Sequence, residues 1–482
     1  LLPISPFYPG LQIVTNALTN VTGLSIFASG MIVINTAGIV FVLSLFLFYE
    51  YISGSALVAG IAMMLYMAKP TFFSDTLYHY EDLAMPLMAF VLYAVVQRSS
   101  SSKAYHLGLT VAIWLGLAAV VVTHHVTSFM LDLVLIVWTM VFLILKRRTL
   151  NPKNRGQEIQ GNPGGTALLA IVLTSLWLLY TGAQAVGYLY PTYSSTVSQF
   201  LQILAGERET RQFFHDAGGF VEPLWERIAA FAAVALIMLG LPFGLFQIWR
   251  RYRANATALM LAIAAFIYPV SQLMRLTSSG VNLGGRLQPY VFGAIALVLA
   301  VGITHFWIAR APNWMYRLPL VGLLAIIFIG GWVTGTSPLW NRLPGSYLPY
   351  SDQRSIQPES IMAAKWAYSY LGPGHRVIGD QVNTILMATY GGQWVVTPSN
   401  DQILVSSIYI SPTFDHDVVS TLQQGDVQYI VVDRRLIGVD QTDYSEPLDA
   451  GMLAKFDEVQ NVNRVFDSGN IILYDVKAIS QP

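Results

Sequence analysis

The sequence lacks cysteine and has few charged residues. No Cys occurs in 482 residues, which excludes disulfides and thiolate metal sites. Only 11% of the residues are charged, whereas a soluble domain carries roughly a quarter. The formal net charge is zero, so no basic excess indicates nucleic-acid binding. These absences point away from a soluble domain.

What the sequence has in abundance is apolar surface. Hydrophobic residues make up 54% of the chain and aromatic residues 12%, with 11 tryptophans and a mean hydropathy of +0.52. A span needs about 20 mainly apolar residues, and Trp and Tyr favour the two lipid interfaces. We therefore predict a polytopic α-helical membrane protein. The ten candidate spans lie at about 24–49, 55–69, 80–97, 104–122, 126–146, 165–187, 226–247, 255–274, 289–309 and 317–335.

The basic residues predict the orientation of these spans, because cytoplasmic loops are enriched in Lys and Arg. Twelve basic residues follow spans three, five, seven and nine, on one side of the membrane, and six lie on the other. The first side is interpreted as cytoplasmic. This places the start of the chain, and everything from Thr336 onward, outside. An exterior start without a signal segment leads us to expect one more span upstream.

The segments outside the spans predict the domain organisation. Residues 1–23 are the end of an exterior loop with an amphipathic helix, residues 24–335 the membrane domain, and 336–350 a linker rich in Pro, Gly and Ser. Residues 351–482 contain short β-branched runs such as VQYIVVD between helical patterns. That alternation predicts a small exterior α/β domain. No internal repeat is evident, which disfavours a transporter built on inverted repeats.

Ionisable residues gather on the predicted exterior face of the membrane domain. The candidates are Asp75, His79, Glu81 and Asp82 before span three, His124 and His125 between spans four and five, and Arg275 and Arg286 before span nine. Carboxylates, imidazoles and guanidiniums suit general acid–base chemistry and phosphate binding. Each has a simpler interpretation: a polar loop, a solvated turn, or an interfacial anchor for span nine.

The stretch VVVTHHVTSFMLDLVL adds a buried carboxylate to this set. Asp132 follows His125 by two helical turns on the same face, about 10 Å deeper. A charge at that depth costs a few kcal/mol, so it should face protein or water. We expect Asp132 to support a chain of polar groups in an exterior cavity; a helix cap or an Arg partner is the alternative.

Several phrases resemble the glycosyltransferase C superfamily. SPFYPGLQIVTNALTNVTGLSIF is similar to the segment that enters the second span of its members, and YHYEDLAMPLMAFVLYAV and VVTHHVTSF resemble later exterior phrases. The tail, with PESIMAAKWAYSYLGPGHRVIGD, VQYIVVDRR and FDSGNIILYDV, is similar to exterior domains of relatives. Members are multi-span enzymes that use polyprenyl-phosphate-linked sugars.

The resemblance implies an inverting glycosyltransferase of the cell envelope. It would move a sugar from a polyprenyl-phosphate donor to an exterior glycan, lipid or protein acceptor. Asp75, Glu81 and Asp82 are the candidates for acceptor or metal contact, and the three histidines named above for base or phosphate roles. Arg275 and Arg286 are the candidate phosphate clamps. A divalent metal ion can bind through these oxygens, but nothing in the sequence requires one.

Two alternatives stay open. The family's catalytic acid lies in the first exterior loop, and residues 1–10 contain no Asp or Glu, so that acid is either upstream or lost. If it is lost, the chain is a non-catalytic membrane subunit that serves a larger protein assembly. The other alternative is a polysaccharide polymerase or ligase that uses exterior Arg and His. Membrane lipids surround the chain in every case.

Overall fold

The computed structural model has two compact units, one helical and one of mixed α/β structure. The structure describes residues 7–69, 78–100, 103–149, 159–208, 210, 213–214, 223–310, 315, 318–333, 356–401, 403–437 and 448–480. The predicted linker at 336–350 lies outside these residues. Each unit is described by itself below.

The helical unit contains the candidate spans. Its helices are α1 (Gly10–Thr22), α2 (Ile26–Ser53), α3 (Ala56–Met67), α4 (Tyr80–Ser100), α5 (Lys103–Thr123), α6 (His125–Thr149), α7 (Thr166–Tyr180), α8 (Gln184–Leu204), α9 (Leu224–Arg251), α10 (Ala256–Ala265), α11 (Ile267–Met274), α12 (Ser278–Gly302) and α13 (Leu318–Val333). After α12 the chain continues as a π-helical turn, Ile303–Trp307, and a 3₁₀ turn, Ile308–Arg310.

Within these ranges, six helical segments are long and apolar enough to cross a membrane, and three shorter apolar helices accompany them. The shorter ones are 56–67, 166–180 and 318–331. The helical membrane class is confirmed, whereas the number of ten spans stays a prediction. Long apolar side chains on α2 and α9, such as Phe27, Ile39 and Phe231, are exposed. Such a surface suits contact with lipid tails.

Two predicted spans depart from a regular helix. The span predicted at 255–274 is present as the apolar segment 256–274, with a one-residue irregularity at Phe266 between α10 and α11. Pro269 explains the irregularity, because its ring has no N–H and clashes with the carbonyl four residues earlier, at Ala265. The span predicted at 165–187 ends at Tyr180. There a Cβ on Gly182 would lie 2.6 Å from the Tyr8 hydroxyl, so the chain passes close to the N-terminal segment.

The loop predicted before span nine is wrong. The polar, Gly-containing stretch from Ser278 is the beginning of α12, and the Thr277 hydroxyl caps it by accepting the Gly280 N–H at 2.9 Å. Glycine lowers intrinsic helix propensity, but tertiary packing overrides it, and Leu283 is buried here. Arg286 therefore lies within a helix, where its direction is fixed by the neighbours of α12.

Helices α9 and α12 approach each other closely through glycine. A Cβ on Gly244 would collide with the backbone carbonyl of Val298, and a Cβ on Gly302 would lie 3.0 Å from the Gly244 backbone. Small residues at such crossings let helix backbones pack by van der Waals contact, which drives association where water is absent. This contact anchors α12 in the helical unit.

The α/β unit is built on a five-stranded sheet. Its strands are β1 (Arg376–Ile378), β2 (Trp394–Val395), β3 (Tyr429–Asp433), β4 (Asn463–Asp467) and β5 (Ile471–Asp475), in the spatial order β2-β1-β3-β5-β4. Its helices are α14 (Pro358–Trp366), α15 (Gln381–Thr389), α16 (Pro398–Asp401), α17 (Ser406–Ile410), α18 (His416–Gln424), α19 (Ala450–Ala454) and α20 (Lys477–Ser480).

The pairing of the strands follows from their connections. Strand β1 is parallel to β2 and to β3, as helical crossovers require, whereas β5 is antiparallel to β3 and β4. Strand β3 is buried along its whole length, as expected for an apolar central strand. The prediction of a small mixed α/β fold is confirmed. Strand β4 was not predicted, because NRVFD is half-exposed and carries two charges.

Candidate functional site

His124 and His125 lie in the turn between two apolar helices and are buried. Helix α5 ends at Thr123 and α6 begins at His125, and the two histidines are 4% and 1% exposed. The alternative of a solvated turn is therefore wrong. Aromatic rings surround the pair, with ring centroids 4.7 Å apart for Tyr80 and His124 and 5.1 Å apart for Tyr8 and His125.

A hydrogen-bonded chain connects this turn to α12. Nδ1 of His124 lies 2.8 Å from Oγ1 of Thr127, and the same oxygen lies 2.7 Å from the hydroxyl of Tyr290. Burial lowers the pKa of His124 well below its usual range, and the nearby groups His125 and Arg286 act in the same direction. The His124 imidazole is therefore neutral at physiological pH, with one ring nitrogen engaged by Thr127.

Arg286 lies beside the histidine pair. Its guanidinium is close enough to act electrostatically on both His124 and His125, while its side chain stays exposed. Arg286 and Tyr290 are four residues apart on α12 and so share one helix face. The Tyr290 contact with Thr127 thus holds the face that carries Arg286 against the histidine turn.

A second group of ionisable residues lies at the start of α4. Nδ1 of His79 is 3.7 Å from Oδ2 of Asp82, and Glu81 and Asp82 occupy the first turn of α4, where the helix dipole favours acids. Both carboxylates line a cavity of about 40 Å³ together with the buried Lys69. The Lys69 Nζ also lies 5.1 Å from the centroid of the Tyr66 ring.

The two groups are linked through the start of α4. Tyr80, which packs against His124, stands between His79 and Glu81 in sequence, and His79 acts electrostatically on His124. The α4 cavity is also lined by Pro289, the neighbour of Tyr290 on α12. We call these residues of the α4 start, the α5–α6 turn and the α12 face the histidine–arginine cluster: His79, Tyr80, Glu81, Asp82, His124, His125, Thr127, Arg286 and Tyr290.

The remaining predicted site residues lie elsewhere. Asp75 falls outside the described residues. Arg275 directly follows α11. Its side chain packs against Gly284 and interacts electrostatically with the buried Tyr268. Asp132 is half-buried on α6 and lies beside Thr174 of α7, so it faces protein, as its depth required.

Sequence reasoning missed the uncharged members of the cluster. Tyr80, Thr127 and Tyr290, like the adjoining Tyr8, carry no charge and resemble ordinary interfacial aromatics or helix residues. Thr127 stands three residues after His124, a spacing that brings side chains together on a helix, and this signal was available. In the sequence, Lys69 is only one of the six basic residues on the predicted exterior side. Its burial depends on the tertiary packing around α3, which contacts α2 and α12, and no local pattern reveals this packing.

The donor atoms of this site determine which ions or groups it can bind. Within the part of the chain that the structure describes, no group of three or more His, Asp or Glu side chains is arranged to hold a metal ion. The ionisable residues of the histidine–arginine cluster instead combine one guanidinium and three imidazoles with two carboxylates. Such a set can bind an anionic group and exchange protons without a metal.

Comparisons with known proteins find similar structures but no similar sequences. The sequence matches no family model and no curated protein. Among solved structures, the chain is similar to the Archaeoglobus fulgidus oligosaccharyltransferase tethered with an acceptor peptide containing the NVT sequon, with 11% identity and a TM-score of 0.53. The match covers 89% of this chain but only 61% of that protein.

A second similar structure is ArnT from Cupriavidus metallidurans in the apo state. It is 15% identical, with a TM-score of 0.49, and the match covers 98% of this chain and 88% of that one. At such identities the similarity is one of fold alone. It rests on the oligosaccharyltransferase, whose TM-score is the higher of the two. The chain accordingly shares its fold with that oligosaccharyltransferase, and its long apolar helices are those of a multi-pass membrane protein.

Proposed function

We propose that this chain is a membrane glycosyltransferase that transfers a sugar, with inversion, from a polyprenyl-phosphate donor to an exterior glycan, lipid or protein acceptor. The fold shared with an oligosaccharyltransferase supports the general class. The histidine–arginine cluster supports the finer assignment, because it joins a guanidinium to carboxylates and imidazoles on elements that are far apart in sequence.

The position of Arg286 beside His124 and His125 carries the proposal. The guanidinium is exposed, although the imidazoles next to it are buried. A planar guanidinium pairs with two phosphate oxygens at once. Its proposed role is to bind the phosphate of the donor and to stabilise the charge that grows on it as the anomeric C–O bond breaks.

The α4 start supplies the groups for the acceptor. In a direct displacement, an acceptor hydroxyl oxygen forms a bond to the anomeric carbon, the phosphate leaves with the electrons of the broken bond, and the hydroxyl proton passes to a base. Asp82 and His79, 3.7 Å apart, are the proposed base and its partner. Glu81 and the buried Lys69 line the adjoining cavity and are proposed to orient the acceptor.

The scaffold alternative is favoured by one observation. The two imidazoles are enclosed by the rings of Tyr8 and Tyr80, and aromatic enclosure of this kind also stabilises a helix junction with no chemistry at all. A subunit of a larger assembly would keep these contacts and transfer no sugar.

A transfer assay distinguishes the two functions. Membranes with the full chain receive polyprenyl-phosphate donors that carry labelled hexose or pentose, and label in glycan, lipid and protein fractions is measured. If the chain is an enzyme, we expect label transfer that disappears in the double variant His79→Ala, Asp82→Ala. The control is the variant Asp417→Ala, in the α/β unit. No transfer by the native chain with any donor would favour the scaffold.

A further inference from the structure

Helix α1 has three sides of different character, and the residues of each side recur at the spacing of a helical turn. The first side is partly or fully buried: Leu11, Thr15 and Leu18. The second side is apolar and exposed: Ile13, Val14, Ala17 and Val21. The third side is polar: Gln12, Asn16, Thr19 and Asn20. A helix with three such sides fits a place where protein, lipid and water meet.

The first side packs on the helical unit. Leu11 belongs to an apolar cluster with Val33 and Ala37 of α2. The Thr15 hydroxyl accepts a hydrogen bond from the Tyr78 hydroxyl at 2.7 Å. These contacts fix the rotation of α1 about its axis, so they determine the direction in which the apolar side and the polar side point away from the protein.

The apolar side is exposed, and this exposure continues beyond the end of the helix. Val21 is 85% exposed. Gly23 ends α1 with a left-handed φ of 72°. Exposed apolar residues then lead into α2: Leu24, Ile26 and Phe27. Because α2 is long and apolar enough to cross a membrane, the apolar side of α1 is continuous with a surface that suits lipid.

The charge pattern of α2 places α1 at the boundary of the lipid. Glu50 is the only charged residue among the 28 of α2, so the uncharged residues before it cross the hydrocarbon. A core of about 30 Å takes about 20 of them at 1.5 Å per residue, which brings the boundary to the first turns of α2. Helix α1 joins α2 at this end and packs on Val33 and Ala37.

We propose that α1 is an interfacial helix whose apolar side inserts into the lipid leaflet at the beginning of α2. In the predicted orientation this is the outer leaflet. Interfacial helices bury their apolar side about 5–10 Å into the boundary between headgroups and acyl chains, and many use Lys and Arg to attract anionic lipids. Helix α1 carries no charged residue, so its insertion depends on apolar burial and is independent of anionic headgroups.

The insertion also positions the histidine turn. The Tyr8 ring, just before α1, lies 5.1 Å from the His125 ring, and a Cβ on Gly10 would collide with Thr123 at the end of α5. A helix held in the leaflet therefore keeps His124 and His125 close to the lipid headgroups, where the phosphate of a lipid-linked donor lies. This last step rests on the proposed function, whereas the insertion itself does not.

Spin labels on single cysteines test the insertion, because the native chain has no cysteine. The full chain is reconstituted in phosphatidylcholine vesicles, and collisions of each label with oxygen, which concentrates in lipid, and with a water-soluble nickel chelate are measured. The labelled variants of the apolar side are Ile13→Cys, Ala17→Cys and Val21→Cys. The matched controls, on the polar side of the same helix, are Asn16→Cys and Asn20→Cys. All five positions are exposed, so the labels leave the packing of α1 intact.

We expect the ratio of oxygen to nickel collisions to be several-fold higher on the apolar side than at the two asparagines. Ile39→Cys, on the exposed surface of α2, and Glu458→Cys, in the α/β unit, give the reference values for lipid and water. Equal ratios on both sides of α1 would overturn the proposal. Labels on the apolar side that are shielded from both reagents would also overturn it, because a second copy of the chain would then cover this side.

A second set of vesicles, with phosphatidylglycerol added, tests the independence from charge. The ratios should be the same as in phosphatidylcholine alone. Insertion that occurs only with the anionic lipid would contradict the proposal, since α1 itself has no charge that could respond. Sugar transfer plays no part in these measurements, so their failure would leave the proposed function to be decided by the transfer assay.

Discussion

The hydroxyl of Tyr290 lies 2.7 Å from Oγ1 of Thr127, across 163 residues of sequence. Both side chains belong to apolar helices, and both are buried. Because Arg286 stands one helical turn before Tyr290, this contact fixes the guanidinium next to His124 and His125. The hydrogen bond between Thr127 and Tyr290 therefore positions Arg286 at the proposed phosphate site.

Removal of the Tyr290 hydroxyl should loosen α12 at this point. Tyr290→Phe removes the hydrogen bond between the two hydroxyls, while Thr127 keeps its contact with His124, and a hydrogen bond of this kind contributes about 0.5–1.5 kcal/mol. We expect a lower thermal unfolding temperature and weaker donor binding, seen as a raised KM. Tyr105→Phe, at a tyrosine that is 70% exposed, is the control. A variant indistinguishable from that control would remove the positioning role.

The crossing of α9 and α12 should not tolerate a larger residue. In Gly244→Ala the added methyl group collides with the Val298 carbonyl, and a backbone shift of this kind costs about 1–3 kcal/mol. A lower unfolding temperature in detergent is expected. Gly108→Ala places a methyl group in open space within α5 and should be neutral or slightly stabilising. Equal stability of the two variants would contradict the close approach.

The membrane orientation can be tested with single cysteines, because the native chain has none. A cysteine at Lys153 is predicted to be cytoplasmic, since twelve basic residues segregate to its side. A cysteine at Glu458, an exposed residue of the α/β unit, is predicted to be exterior. An impermeant thiol reagent added outside intact cells should label only the second. The reverse pattern would invert the predicted topology.

The α/β unit should lose stability as the pH rises. Burial, together with the neighbouring Asp433, raises the pKa of Asp380 to about 6. The unfolded value is about 3.9, so the folded unit binds the proton more tightly. The stability is therefore greatest when Asp380 is protonated, falls between about pH 4 and pH 6, and stays low above that window.

The effect on the free energy of unfolding is on the order of 2–3 kcal/mol. Arg435, which acts electrostatically on Asp380, and its partner Glu359 remain charged throughout the upper part of the pH window. Exchange protection of residues 376–390, corrected for intrinsic rates, should be higher at about pH 5 than at about pH 7.5. Asp380→Asn should flatten this dependence, whereas Asp417→Asn, at an exposed position, should preserve it. A native chain with equal protection at both values would contradict the buried carboxylate.

Much of the fold could be predicted because hydrophobic length and strand patterning are local. The helices around 26–53 and 125–149 follow from long apolar runs, and the buried strand 429–433 from its β-branched residues. The start of α12 could not be predicted, because a polar stretch with glycines resembles a loop until its burial is known. The irregularity at Phe266 could be predicted from Pro269, because the effect of proline on the preceding helical turn is local.

The site could be predicted only in part, because charge is visible in a sequence and proximity is not. His124, His125 and Arg286 were identified as candidates from their types, and the structure places them together. The contribution of Tyr290 arises from the contact between α6 and α12, which depends on tertiary packing. The contacts of the Asn383 amide with Asp380 and Asp433 also depend on tertiary packing, because these partners lie at the ends of two different strands.

Substitution of Arg286 by Lys tests the central claim most directly. A bidentate contact to a charged group is worth on the order of 1.5–3 kcal/mol, and Lys offers a point charge in place of a planar fork. If Arg286 binds the donor phosphate as the sugar departs, Arg286→Lys should reduce sugar transfer roughly tenfold to a hundredfold at matched expression. Arg310→Lys, at the other end of the segment that begins with α12, should transfer sugar like the native chain. Equal transfer by Arg286→Lys and the native chain would contradict the account.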